Sequence, residues 1–423
     1  MAVLLTAAHS ASCLAMARAL HARGLTVLVE GQPGALSFYS RAVSQTLVGP
    51  SSRKEPEAYA RFILDAVRRH GVVLVVPLDD SSLLALDGLR GELEGAARLA
   101  LPSSECLRVA MDKDRLAEVA AGLGVPTPRT FRVAGLEEAR RAVAALGYPL
   151  VLKPLGPGKI GMLPPGLAFK ARFAARWGDV EGYLRPYIAA GCSLLVQEYY
   201  PGFGTNLDGM CADGEIVAIA ARRSLKTHPL TGLVGVVRET IPMDPIVRGY
   251  AARLLGALRY DGLLNLQFRQ SPRDGTWRLT DFNARASIHL GTTLRAGVDL
   301  PYLAYEWFVE RRKVPVEKYA VGVRGLGLIG NVRHTALALR RREHDIDPFY
   351  PSRRKAIQDF FLDLVRADHY DEFTLADPLP ALAEPFHQGC RWLSRGGRQL
   401  VHGAARILPV GLKRRAKQAW PSS

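Results

Sequence analysis

Gln267, Asp281, Asn283 and Arg285 fall within one short stretch, Leu263 to Arg285, which reads LLNLQFRQSPRDGTWRLTDFNAR. Two apolar runs, Leu263–Phe268 and Trp277–Phe282, flank Ser271-Pro272-Arg273-Asp274-Gly275. Proline presets φ and glycine supplies positive φ, so the pattern predicts a β-hairpin. Strand alternation then brings Gln267, Asp281 and Asn283 within reach of one face. All three are hard oxygen donors. A magnesium ion held together with nucleotide phosphates takes one or two carboxylates plus neutral oxygens. Arg285 adds a planar donor fork suited to a phosphate or a developing oxyanion. The spacing alone suits a plain surface hairpin equally well, so the case depends on residues upstream.

Three upstream places carry charge in unusual settings. Lys113, in Met111-Asp112-Lys113-Asp114, opens a helix. A cation at the positive end of a helix is mildly unfavourable unless it points at an anion. Lys153 ends the apolar strand Leu150–Pro154 and either snorkels to water or meets an anion. Arg222-Arg223-Ser224-Leu225-Lys226 places three cations in five residues, which suits carboxylate or phosphate recognition by Arg223 and Lys226. Gly156-Pro157-Gly158-Lys159-Ile160-Gly161 suits a phosphate-covering flap but fails the P-loop spacing. Asp79 and Asp80 follow the strand Val72–Val76, where they serve either as a substrate contact or as a helix cap. His289 reads as a satisfied polar residue rather than a base.

In N-x-Q-F … L-x-D-F-N-x-R (Asn265 to Arg285) the chain resembles the metal-binding end of the ATP-grasp superfamily, and the block R-S-L-K-x-x-P ahead of Glu239 resembles that of bacterial carboxylate–amine ligases. Gln267 is similar to the carbamoyl-phosphate synthetase variant of that site. Asp281 stands where Glu is usual, and Ala284 where Pro is usual. M-D-K followed by G-V-P-T-P, and Y-P-L-V-L-K-P, also resemble the family's core. The resemblance implies that Lys113 and Lys153 contact phosphates. It makes Gln197, Glu198, Tyr199 and Tyr200 the adenine hinge, and gives Asn206 and Asp208 a polar contact to ribose or substrate. It implies Mg²⁺, with Mn²⁺ as a substitute, on Gln267, Asp281 and Asn283. Arg223, Lys226 and Arg285 would act on the acyl substrate. The implied reaction activates a carboxylic acid as an acyl phosphate and joins it to an amine, releasing ADP and phosphate. A bicarbonate-using carboxylase and a non-catalytic ATP-binding protein are the alternatives.

The elements that must position these residues follow an α/β and α+β order. A βαβ alternation over the first hundred residues predicts a Rossmann-like parallel sheet. Its first turn, Thr-Ala-Ala-His-Ser-Ala-Ser, lacks G-x-G-x-x-G, which argues against dinucleotide chemistry. The expected division is 1–105 for that domain, 106–195 for a first lobe with the lid, 196–320 for an antiparallel lobe with the Mg·ATP site, and 321–423 for a basic extension. Within it, residues 171–190 read as a helical lid segment and Val321–Gly330 as a strand.

The 423 residues carry a formal charge of +16, which favours anionic partners. Five scattered cysteines predict a reducing cytoplasm. The N-terminus reads as a buried strand and helix rather than a signal peptide. Arg391 to Lys417 holds eight Lys or Arg among apolar residues. It suits either peripheral contact with an anionic membrane on its inner face or packing on the core. No specific nucleic-acid motif is present, and a homo-oligomer stays open.

Overall fold

A computed structural model describes residues 1–154, 167, 171–200, 203–228, 234–271, 275–340 and 352–383. The flap at 156–161 and the basic segment 391–417 lie outside the described residues.

The first sheet is parallel, in the order β3-β2-β1-β4-β5. Its strands are β1 (Ala2–Leu5), β2 (Thr26–Gly31), β3 (Gln45–Val48), β4 (Val72–Val76) and β5 (Arg98–Leu99). Val3, Leu4 and Leu5 are fully buried, as an apolar run covered on both faces requires. The helix Ala11–Ala22 starts on Ser10, whose Oγ accepts from the Cys13 amide at 3.1 Å. The helix Pro56–His70 begins on proline and stops at Gly71, whose φ of +59° a side chain would resist. Beyond β4, Asp79 caps the helix Asp80–Asp87 by accepting from the Ser82 amide at 2.7 Å. That settles the capping role on Asp79 and leaves the Asp80 carboxylate to face the crevice at the strand ends.

The second sheet is antiparallel, in the order β6-β9-β7-β8. It comprises β6 (Thr130–Val133), β7 (Leu150–Pro154), β8 (Arg172–Ala174) and β9 (Leu194–Glu198). Residues 171–190 are therefore not all helix. Arg172–Ala174 pairs with β7, and the helix occupies Trp177–Ala189. β7 recruits this segment because its open edge would otherwise leave backbone groups unpaired.

The third sheet runs β14-β13-β10-β11-β12-β15-β16. Its strands are β10 (Phe203–Ala212), β11 (Glu215–His228), β12 (Val234–Thr240), β13 (Gly262–Gln270), β14 (Trp277–Asn283), β15 (Arg324–Leu326) and β16 (His369–Tyr370). The expected strand Val321–Gly330 contracts to β15, and the helix Leu328–Arg340 follows. Leu207, Leu264, Leu266, Phe268 and Phe282 pack from this sheet into the apolar cluster that contains Leu4 and Val75. By alternation, Asn206, Asp208, Asn265 and Gln267 face the other way. Cys13, Cys106, Cys192 and Cys211 are free thiols. Among the described residues no helix is long and apolar enough to cross a membrane.

Candidate active site

The hairpin expected from the sequence is β13 and β14. Gln267 pairs with Asp281 and Asn265 with Asn283. Asn206 lies opposite Gln267 from the β10 side. Asn265 sets the orientation of the donors. Its carbonyl oxygen accepts from Gln267 Nε2 at 3.2 Å and from Asn283 Nδ2 at 3.1 Å. Both amides thus spend an N–H on Asn265 and keep their carbonyl oxygens for another partner. Asn283 Oδ1 accepts from Arg285 Nη2 at 3.4 Å. One carboxylate with two amide oxygens is a donor set that fits a hard divalent cation.

Asn265 is itself fixed from below. Its Nδ2 donates to Asp208 Oδ1 at 2.7 Å. Asp208 Oδ2 accepts from Arg222 Nε at 2.6 Å and from Thr293 Oγ1 at 3.0 Å. Arg222 Nη2 donates to Ser287 Oγ at 2.6 Å. Asp208 and Arg222 are 1% and 2% exposed. A buried ion pair therefore anchors a hydrogen-bonded chain that ends on two of the three expected metal ligands, an outer layer that orients the donors. Sequence reasoning gave Asn265 and Arg222 no role at the site and read Asp208, with Asn206, as a polar contact to ribose or substrate. Counting back two residues from Gln267 would have reached Asn265; Arg222, and the ion pair that fixes Asp208, required the strand pairing.

Cations surround the single carboxylate. Lys113 Nζ lies 2.7 Å from Asp281 Oδ1. Burial and the Lys113 charge depress the Lys153 ammonium to about 7, with Asp281 opposing and Arg269 adding to the depression. Burial pushes the Asp281 carboxyl up, but Lys113, Lys153 and Arg285 outweigh it and hold the group below the usual range. Arg285 Nε is 2.7 Å from Asp80 Oδ1, joining β14 to the crevice of the first sheet. The Arg269 guanidinium, also unassigned from the sequence, is depressed by burial, and Tyr199 opposes this. Such a basin is built to receive a polyanion.

The remaining expected residues divide. Tyr199 packs edge-on against Phe173, with ring centroids 4.8 Å apart. Glu198 is held by Arg129 Nε at 3.1 Å. Gln197 turns into the second sheet and donates to Thr130 Oγ1 at 2.9 Å. Tyr200 is buried, its hydroxyl bonded to Thr276 and its ring beneath Arg278. The structure does not bring Arg223 to the site. It alternates with Arg222 onto the opposite face, pairs with Glu239 at 3.2 Å, and lines a separate cavity with Thr205 and Leu207. Lys226 is ion-paired with Asp363 of the helix Arg353–Arg366. In the Arg-Arg pair, the residue that reaches the metal-ligand face is Arg222. His289 is buried, and burial together with the Arg222 and Arg238 charges holds it far below its usual range, so it is neutral.

The model of the family described as "ATP-grasp in the biosynthetic pathway with Ter operon" matches residues 192–325, the stretch that holds β9 to β14 and the start of β15. The biotin carboxylase domain of Hydrogenobacter thermophilus 2-oxoglutarate carboxylase, solved with MgADP and bicarbonate, superposes with a TM-score of 0.60 and 17% identity over 76% of this chain and 73% of that one. This is an ATP-grasp fold. Among curated proteins, the formate-dependent phosphoribosylglycinamide formyltransferase of Synechococcus sp. (strain WH7803) is 36% identical over 94 residues, 22% of this chain and 23% of that protein. The carbamoyl phosphate synthase large chain of Thermomicrobium roseum is 25% identical over 196 residues, 43% of this chain and 17% of that protein. The chain thus aligns with about a quarter or less of the length of these relatives. The architecture expected from the hairpin and the two lysine motifs is borne out, and the family match over residues 192–325 falls on the superfamily they resemble.

Proposed function

We propose that the chain is an ATP-dependent carboxylate–amine ligase of the carbon–nitrogen type. The observation that carries this reading is the basin of Lys113, Lys153, Arg269 and Arg285 around Asp281, beside two amides oriented by Asn265. Lys113 and Lys153 neutralise the triphosphate, and Gln267, Asp281 and Asn283 hold Mg²⁺, or Mn²⁺ in its place. The metal would lower the charge repulsion met by an incoming anion. A substrate carboxylate oxygen attacks the γ-phosphorus, the bond to the β-phosphate oxygen breaks, and ADP leaves. The acyl phosphate then takes an amine nitrogen at its carbonyl carbon, with Arg285 facing the oxyanion. The amine loses a proton, inorganic phosphate departs and an amide remains. Tyr199, Glu198 and Asn206 belong to the nucleotide side of this proposal. The division at residues 105, 195 and 320, and contact of the basic tail with anionic lipid, stand with it.

The reading is supported by the Synechococcus relative, a formate-dependent formyltransferase. The test follows ADP and phosphate release with Mg·ATP against pools of carboxylic acids and amines. Release that needs an acid–amine pair supports the ligase. Release with bicarbonate alone replaces it with a carboxylase, and tight ATP binding without turnover across the pool replaces it with a binding protein.

A further inference from the structure

A second cavity, of about 370 Å³, opens where β5 meets the start of β13 and the end of the helix Leu300–Phe308. Arg90, Arg98, Arg259 and Arg311 line it, with Glu94 and Asp261 as the carboxylates. Arg90 is spoken for, bonded to Asp87 at 2.7 Å and Glu94 at 3.3 Å. Asp261 accepts from Trp307 Nε1 at 2.6 Å. Among the described residues, Arg98, Arg259 and Arg311 have no carboxylate within ion-pair distance, and all three are exposed.

The backbone adds an independent observation. Arg259 and Arg311 have φ of +46° and +56°. Each follows the last turn of a helix. The Arg259 amide donates to Gly256 O and the Tyr260 amide to Leu255 O, while the Arg312 amide donates to Glu306 O. These left-handed positions normally go to glycine. One arginine near a helix C-terminus is an ordinary complement to its dipole. Two of them, both in the strained region and both joining the unpaired Arg98 on one cavity, are the kind of outlier that accompanies ligand sites. The cavity falls within the size range of small-molecule sites. It lies roughly 20 Å along β13 from Gln267, at about 3.3 Å per residue.

We propose that this cavity binds a phosphate-bearing small molecule at a site separate from the catalytic basin. Guanidinium forks match phosphate oxygens in pairs, and Phe308 offers an apolar wall. The test is calorimetric titration of the full chain with inorganic pyrophosphate. Arg259→Gly with Arg311→Gly removes both forks while relieving the backbone, so the melting temperature should be equal or higher. Affinity should fall at least tenfold in that variant and in Arg98→Ala, and persist in Lys153→Ala. A nucleoside monophosphate run in parallel identifies the source: tighter binding than pyrophosphate assigns the Phe308 wall to a base, and weaker binding assigns the site to free phosphate. No binding by the unaltered chain, or binding that survives the double variant and is lost in Lys153→Ala, overturns the proposal.

Discussion

Asp208 and Arg222 are a pair whose value shows when it is broken. Both are almost completely buried at 2.6 Å, so Asp208→Ala leaves an uncompensated guanidinium. Destabilisation of about 3–5 kcal/mol is expected, measured by urea unfolding. Asn265→Leu is a milder probe, since the hairpin can keep its register. Releasing the Gln267 and Asn283 amides should weaken Mg²⁺ dependence by about 10–100-fold, read as the metal concentration for half-maximal ADP release, with the circular dichroism unchanged. Lys153 makes the site sensitive to pH. In the free protein its pKa is about 7 against an ordinary 10.5. The folded chain therefore holds fewer protons than the unfolded one across that window, and this group makes stability rise with pH there. Phosphate wants the ammonium, so nucleotide affinity should weaken as pH climbs through about 7, and Lys153→Met should flatten the profile. Short motifs carry the candidate metal ligands and both lysines, which is why the sequence offered them. The Asp208–Arg222 ion pair was not legible, because its partners come from strands β10, β11 and β13, and only pairing shows that Arg222 rather than Arg223 points inward.

Whole elements were legible where local signals agreed. Pro56–His70 has a proline start, a glycine stop and an amphipathic face, and it folds with those bounds. Residues 171–190 and 321–330 departed from expectation because tertiary pairing decided them: β8 completes an edge of the second sheet, and β15 docks on β12. At β15 the fit is close. A Cβ on Gly325 would lie 2.0 Å from Thr292 Oγ1 and 3.0 Å from the Arg238 guanidinium. Arg238 is fully buried and bonded to Asp371 just after β16. Gly325→Ala should cost about 1–3 kcal/mol through overpacking, seen as a lower melting temperature. It should also expose the segment 352–383 to limited proteolysis. Intact resistance would mean that this segment is held by other contacts.

At the scale of the molecule, the first and third sheets meet through ion pairs as well as apolar surface. Arg285–Asp80 ties β14 to the parallel sheet, and Lys113–Asp281 ties β14 to the helix Lys113–Gly122. The +16 charge adds a long-range field that salt screens. Removing residues 391–423 should abolish flotation with anionic liposomes if the tail is an anchor; unchanged flotation, or none with the full chain, removes that part of the proposal. The Lys113–Asp281 contact also bears on the order of events in a catalytic cycle. On the proposed metal assignment, the Lys113 ammonium sits on the Asp281 oxygen that a divalent ion would need, so a bare ion would have to displace it. A triphosphate gives that ammonium somewhere else to go. Under the proposed function, metal and nucleotide would enter together, with Lys113 shielding Asp281 from stray cations until the right anion arrives.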